Sequence, residues 1–152
     1  MAYSTFISVT KKIEQRILVQ LLNDEGRSDE EINLQDMSDL VVQRFNQAAD
    51  EAQAEIDTYL RGRYSLPFAS VPTIIIAISD ELTKYNCYKR RGEIPESMDT
   101  VYKANIKMLE KIEAGKMDLG ISGEEQNLTS EIKTNKTSRD RVFNDDDVWD
   151  KY

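Results

Sequence analysis

One stripe of apolar side chains constrains the fold of this 152-residue chain more than any other feature of its sequence. The stripe steps by four, three, four, four and three residues, through Val41, Phe45, Ala48, Ala52, Ile56 and Tyr59. A spacing near 3.6 residues places side chains on one face of an α-helix. The sequence therefore predicts a helix from about Ser38 to Arg61, with Gly62 as its C-terminal cap.

The same spacing predicts a shorter helix upstream and a loop after it. Thr10 is a suitable N-cap for this first helix, which we expect to end near Asn23. Its inward positions are predicted to be Ile13, Ile17, Leu18, Leu21 and Leu22. From Asn23 to Asp36 the chain is polar and acidic and contains Gly26, so this segment is predicted to be a loop.

Two further helices are predicted downstream. Pro72 suits the first turn of a third helix that continues to Arg91, whose inward positions are Ile74, Ile75, Ile78, Leu82 and Tyr85. A buried strand over residues 71–78 is the alternative, but the helical period continues past Asp80. Ser97 is expected to cap a fourth helix that ends near Gly115, with its inward positions at Val101, Ala104, Met108 and Ile112. The predicted fold class is therefore all-α, a four-helix body.

Beyond Gly120 the apolar period disappears, which divides the chain into a predicted body, residues 1–120, and an extended C-terminal arm, residues 121–152. The end of the arm places cations and aromatics around the acidic run Asp145 to Asp147. These residues are Arg139, Arg141, Phe143, Trp149 and Tyr152. Aromatic and arginine side chains are typical binding anchors, so the arm is predicted to dock onto a partner.

Composition excludes several classes of function. The chain has no histidine, which excludes catalytic relays based on histidine and the common zinc sites. A single cysteine, Cys87, excludes an internal disulfide and is expected to be a small buried residue. The net charge of -8 disfavours a general phosphate-binding protein. We expect no cofactor, no signal peptide and no membrane segment, and synthesis in the cytoplasm.

Charged residues next to the helices allow more than one interpretation. Asp57 can form a charged hydrogen bond with Arg63, or with Arg61 one helical turn away. The acidic pairs Asp50-Glu51 and Asp80-Glu81 are interpreted as solvated faces.

A group of cations near the end of the third helix includes interleaved tyrosines and is made up of Lys84, Tyr85, Tyr88, Lys89, Arg90 and Arg91. It is similar to a small nucleic-acid patch. Favourable charge at a helix C-terminus explains it more simply.

The most informative segment reads Ala54-Glu55-Ile56-Asp57-Thr58-Tyr59-Leu60 and continues Arg61-Gly62-Arg63-Tyr64-Ser65-Leu66-Pro67. It resembles the motif of head–tail adaptor proteins from Mu-like tailed bacteriophages. The resemblance extends over roughly Ala48 to Gly120, and residues 23–36 look like an insertion relative to that family. The motif residues to which a structural role is assigned are Asp57, Tyr59, Arg63, Tyr64 and Pro67.

The resemblance implies a non-enzymatic virion protein at the head–tail junction, made in the bacterial host cytoplasm. Copies would form a ring, expected to be twelvefold, beneath the portal protein and would support a downstream tail or neck protein. The arm would dock onto the portal, and double-stranded DNA would pass through an acidic lumen without sequence-specific binding. The alternative is a cytoplasmic acidic helical module that binds or regulates another protein.

Overall fold

A computed structural model of the chain describes residues 2–121, which contain five α-helices and one 3-10 turn at Asp29–Glu31. The helices are α1 (Phe6–Val9), α2 (Gln15–Leu22), α3 (Leu40–Leu60), α4 (Thr73–Arg91) and α5 (Glu96–Glu113). Within these residues there is no strand, so the all-α prediction is confirmed and the strand alternative over residues 71–78 is wrong. Apart from Ile121, the predicted arm lies outside the described residues, and so do its anchors Arg139, Arg141, Phe143, Trp149 and Tyr152.

The long helix α3 is shared by two hydrophobic clusters. Its first half packs against α1 and α2 in a cluster that contains Val9, Leu18, Leu22, Val41 and Phe45. Its second half packs against α4 and α5 in a second cluster that contains Ile56, Leu60, Tyr64, Ile78, Leu82, Leu109 and Ile112. The predicted stripe of α3 is buried from Val41 to Ile56, and Tyr59 is partly buried. Removing apolar surface from water at both ends makes α3 the element around which the body is built.

The N-terminal part differs from the prediction, because the expected single helix from Thr10 to Asn23 is two helices. Thr5 starts α1 through a capping box, in which Thr5 Oγ1 accepts from the Ser8 amide and Ser8 Oγ accepts from the Thr5 amide. Thr10 lies at the end of α1, where its amide donates to the Phe6 carbonyl, and α2 follows Glu14. The reciprocal Thr5 and Ser8 bonds satisfy backbone donors that a helix beginning at Thr10 would leave unsatisfied.

The buried face of α5 also differs from the prediction. Two of the four predicted positions are confirmed, because Ile112 is buried and Met108 packs against the second cluster. The other two are wrong: Val101 is 41% exposed and Ala104 is exposed, and Tyr102, Ile106 and Leu109 face the cluster instead. This face carries larger apolar side chains than the predicted one and therefore buries more surface. Pro95, and not Ser97, precedes the helix. Two other positions predicted to face inward, Ile17 and Ile74, are each 38% exposed.

Candidate functional site

The recognised motif folds into a corner at the end of α3, residues 57–68, which we call the motif corner. The amides of Arg63 and Tyr64 both donate to the Leu60 carbonyl, which turns the chain back against the helix. Tyr64 and Phe68 are buried with ring centroids 6.2 Å apart, while Pro67, which follows a cis peptide bond, is exposed. The tyrosine ring thus anchors the turn in the second cluster and leaves the polar groups of the corner free to contact other segments.

Asp57 binds the N-terminal segment of the chain. The Tyr3 hydroxyl donates to Asp57 Oδ1 at 2.5 Å, and the Tyr3 ring is buried with its centroid 6.0 Å from that of Phe68. Burial and the adjacent Asp57 carboxylate hold the pKa of Tyr3 well above its usual value, so the hydroxyl keeps its proton at neutral pH. A charge-assisted hydrogen bond therefore fastens residue 3 to the end of α3.

Arg63 binds the other end of the described chain, at the C-terminus of α5. Its Nη1 donates to the Ile112 carbonyl at 2.6 Å and to the Met117 carbonyl at 3.3 Å. Its Nη2 lies 3.9 Å from an Asp118 carboxylate oxygen. The Ile112 carbonyl also accepts from the Gly115 amide, so the guanidinium adds a second hydrogen bond at this place and complements the negative end of the helix dipole.

Tyr64 binds the same C-terminal segment as Arg63, two residues beyond Met117. Its hydroxyl oxygen accepts from the Leu119 amide at 3.2 Å. The Arg63 guanidinium lies 5.5 Å from the centroid of the Tyr64 ring, so the two side chains also contact each other. The motif corner therefore holds residues from both ends of the described chain.

The predicted hydrogen bond between Asp57 and Arg63 is wrong, because the two side chains contact different segments. The alternative with Arg61 is wrong as well, since Arg61 Nε donates to the backbone carbonyl of Asp57 at 3.3 Å and not to its carboxylate. Residues close in sequence were expected to bind through their side chains, but Asp57 binds Tyr3 and Arg63 binds the carbonyls of Ile112 and Met117, all from distant segments.

Aromatic side chains join α3, α4 and α5 beside the corner. Tyr102 donates to Glu55 Oε1 at 2.6 Å, and its ring stacks on Tyr85 with centroids 4.2 Å apart. Tyr59 lies nearby, where burial and the surrounding glutamates Glu55, Glu110 and Glu113 raise its pKa. Tyr85 is therefore used in packing between helices, which removes one aromatic face from the candidate nucleic-acid patch.

The arginines of that candidate patch bind the C-terminus of α2 and the acidic residues after it. Arg90 forms three hydrogen bonds with Asp24, at 2.7, 2.8 and 2.8 Å, and Arg91 donates to the Gln20 carbonyl at 2.7 Å. Arg44 of α3 donates to the Leu22 carbonyl at 2.7 Å and forms an ion pair with Glu25. The hydrogen bond from Arg44 holds the pKa of Glu25 at about 2. Lys89, Arg90 and Arg91 lie in the last turn of α4, as the helix-terminus explanation requires, and Arg90 and Arg91 also donate to carbonyls at the C-terminus of α2.

The second acidic pair is not the solvated face that was predicted. Asp80 is 5% exposed and accepts from the Ser8 hydroxyl at 2.6 Å, while the Ser4 hydroxyl donates to Ser79 Oγ at 2.7 Å. Glu81 forms ion pairs with Lys84 at 2.6 Å and with Lys12 at 3.6 Å. α4 thus presents a polar stripe to the N-terminal segment. The first pair, Asp50-Glu51, is exposed as predicted.

The described residues offer little of the chemistry that a catalytic or metal centre needs. Among residues 2–121, no three His, Cys, Asp or Glu side chains lie close enough together to hold a metal ion. Cys87 is fully buried, as predicted, and burial raises the pKa of its thiol to about 12. None of the described helices is both long and apolar enough to cross a bilayer.

A groove of about 640 Å³ between α2 and the α4–α5 turn is lined by Ile17, Leu21, Tyr88, Arg91 and Ile94, among others.

Comparison with known proteins shows that the sequence of this chain is similar to those of phage proteins. A family model described as bacteriophage Mu, Gp36 matches residues 3–136, which includes the motif corner and both chain segments fastened to it. The Mu-like prophage FluMu protein gp36 of Haemophilus influenzae (strain ATCC 51907 / DSM 11121 / KW20 / Rd) is 32% identical over 88 residues. That alignment covers 58% of this chain and 61% of the relative, less than two thirds of its length.

Proposed function

The chain belongs to the bacteriophage Mu Gp36 family, and from this membership we propose that it is a structural protein of the phage particle that acts at the head–tail junction. In this role, copies of the chain assemble into a ring beneath the portal protein and provide the platform for a downstream tail or neck protein. The role requires no catalytic turnover. Binding surfaces and fixed geometry are what such a protein must supply.

The observation that best supports the proposal is the set of contacts that the motif corner makes with the two ends of the described chain. The residues that carry the resemblance, from Asp57 to Tyr64, bind the N-terminal segment and residues 112–119. The body is thereby closed on itself through Tyr3, Arg63 and Tyr64, and the chain continues from Ile121 into the segment that carries Arg139, Phe143 and Trp149. A rigid body followed by a segment rich in anchors suits an adaptor that attaches to a larger ring.

The net charge supports the passage of DNA and not its capture. At -8 the chain as a whole repels phosphate, and three of the cations in the candidate nucleic-acid patch, Lys84, Arg90 and Arg91, form ion pairs with carboxylates. A lumen formed by such a chain would let double-stranded DNA slide without sequence-specific contacts. The arginines are therefore assigned to the internal structure of the body.

The experiment that tests the proposal is co-expression of the full chain with the portal protein of the same phage. We expect the two to co-purify, and electron micrographs and native mass measurement to show a ring of this chain on the portal. A chain without Asn127 to Tyr152 should lose the attachment and keep its helical circular dichroism spectrum. A monomeric chain that shows no affinity for the portal would contradict the proposal and would favour the regulatory binding module instead.

Two single substitutions locate the anchors more sharply. Trp149→Ala and Phe143→Ala should each weaken portal binding by more than about 1 kcal/mol, which is about fivefold in Kd, if both rings are buried at the interface. Leu128→Ala in the same arm is the matched control, because it removes an aliphatic side chain that lies outside the stretch of sequence that carries Phe143 and Trp149. Equal effects from all three substitutions would place the contact elsewhere.

A further inference from the structure

The segment after α5, from Gly115 to Ile121, is fastened to the body by the motif corner, and we call it the exit segment. Gly115 begins it with a φ of 73°, a left-handed conformation that favours glycine. This turn brings the Met117 carbonyl to Arg63 Nη1 and the Leu119 amide to the Tyr64 hydroxyl. Met117, Leu119 and Ile121 also pack against the second cluster. The exit segment is therefore part of the folded body.

We propose that Arg63 and Tyr64 are positioning residues that fix the exit segment and so set the place and direction in which residues 122–152 leave the body toward their partner. This inference rests on the proposed function, in which those residues attach the chain to the portal. Arg63 spans the junction, because one guanidinium nitrogen binds carbonyls on both sides of Gly115, at Ile112 and at Met117. The end of the helix and the exit segment are thus held by one side chain.

The polar contacts of the exit segment can be removed without a cavity in the core. The Arg63 side chain is 30% exposed, so its hydrogen bonds lie at the edge of the body. The Tyr64 ring is buried and its hydroxyl oxygen accepts from the Leu119 amide, and phenylalanine keeps the ring while removing that acceptor. Arg63→Gln and Tyr64→Phe should therefore loosen the exit segment and leave the two hydrophobic clusters intact.

A fixed exit matters for binding because an anchor that starts in the right place loses less conformational freedom when it docks. When the exit segment is released, the arm starts from a wider range of positions and directions. We expect this to weaken portal attachment by about 5- to 10-fold in Kd without removing any contact between the arm and the portal. Deleting the anchors themselves should have a larger effect.

The experiment uses the full chain and compares Arg63→Gln with Arg61→Gln. Arg61 lies two residues before Arg63 at the end of α3, and its side chain donates to the Asp57 carbonyl and not to the exit segment, so it is a matched control. Trypsin cuts after Lys116 only when the exit segment leaves the body, and the rate is followed by mass spectrometry. Arg63→Gln should raise this rate at least about fivefold over Arg61→Gln, since cleavage follows the population of the open form.

A second variant tests the inference independently, in case Arg63→Gln does not fold. Tyr64→Phe should speed hydrogen exchange of the Leu119 amide, which donates to the tyrosine hydroxyl, by about 3- to 10-fold, with Tyr59→Phe as control. Melting temperatures of all variants are measured alongside. Faster cleavage and exchange, with weaker portal binding and little change in melting temperature, support the inference.

Other results overturn it. Unchanged cleavage after Lys116 together with unchanged exchange at Leu119 would show that Arg63 and Tyr64 do not hold the exit segment. Faster cleavage with portal affinity equal to that of the controls would show that they hold it without positioning the arm. If the unsubstituted chain does not bind the portal, the proposed function fails and a positioning role toward the portal fails with it. The cleavage and exchange rates then still decide whether the two residues hold the exit segment.

Discussion

Tyr3→Phe removes a single oxygen atom from the contact between the N-terminal segment and the motif corner. The ring remains against Phe68, so no cavity forms, and the change isolates the hydrogen bond to Asp57. A hydrogen bond to a charged group contributes about 1.5–3 kcal/mol to stability. Because Asp57 is only partly buried, water can replace the lost donor, and we expect a value at or just below the lower end of that range, about 1–2 kcal/mol. In a domain of this size that corresponds to about 3–6 °C in Tm.

A double-mutant cycle identifies the partner of Asp57. Tyr3→Phe, Asp57→Asn and the double variant are unfolded in urea at pH 7 and followed by circular dichroism, and the coupling energy is taken from the three changes in unfolding free energy. We expect a coupling of about 1–2 kcal/mol between Tyr3 and Asp57. The parallel cycle between Asp57 and Arg63→Gln should give less than about 0.5 kcal/mol. The opposite order would refute the geometry and restore the pair expected from sequence spacing.

The same contact predicts a dependence on alkaline pH. Burial and the Asp57 carboxylate raise the pKa of Tyr3 above its usual value of 10.0. The stability that the protonated hydroxyl contributes is therefore complete below about pH 10 and is lost as the pH rises toward the raised pKa. The difference in Tm between the unsubstituted chain and Tyr3→Phe should be constant from pH 7 to 9 and should shrink above pH 10. A difference that grows above pH 10 would contradict this.

Three further predictions concern other parts of the body. Since Arg44 holds the pKa of Glu25 at about 2, against a usual 4.5, the contribution of Glu25 is present above pH 4.5 and is lost as the pH falls toward 2. The Tm of the unsubstituted chain should then fall more between pH 5 and pH 2 than that of Glu25→Gln, and equal slopes would exclude the ion pair as a source of stability. Leu109→Ala should destabilise the chain by about 2–5 kcal/mol in urea unfolding and Val101→Ala by less than about 0.5 kcal/mol, and the reverse order would restore the face predicted for α5. The Cys87 thiol, buried with a pKa of about 12, should react with a disulfide reagent at pH 8 at least about 100-fold more slowly in the native chain than in urea. Rapid labelling of the native chain would show that α4 opens locally.

The sequence predicted the long helices well because their signals are local. The stripe of α3 and the proline before α4 are read within one segment, and both helices lie within two residues of the predicted bounds. α1 has only four residues, too few to show a helical period, so it was missed. The first half of the α5 face was predicted wrongly because Val101 and Ala104 fit the period nearly as well as Tyr102 and Leu109 do, whereas Met108 and Ile112 were predicted correctly.

The chemistry of the candidate site was less accessible to prediction because its partners are distant in sequence. The buried Asp80 carboxylate accepts a hydrogen bond from Ser8, 72 residues away in sequence, and Arg63 donates to carbonyls 49 and 54 residues later. Nothing in the spacing around Asp80 or Arg63 reports such contacts. The motif therefore pointed to residues with structural roles while the pairing among them was wrong. The capping box of Thr5 and Ser8 was the one local signal that could have placed α1.

The meeting of both chain segments at the motif corner has a practical topological consequence. Phe68 contacts the rings of both Tyr3 and Tyr64, with centroids 6.0 and 6.2 Å away, so residue 3 and the Leu119 amide are connected through the rings of Phe68 and Tyr64. A short glycine-serine linker between these points would join the ends of the body, and new termini could be opened at the exposed Glu30 in the acidic loop. Such a circular permutant should fold, although its original termini are joined by the linker. For the natural order of the chain, a label beside residue 3 would lie next to the motif corner, whereas a label at the exposed Glu30 would lie on a different segment.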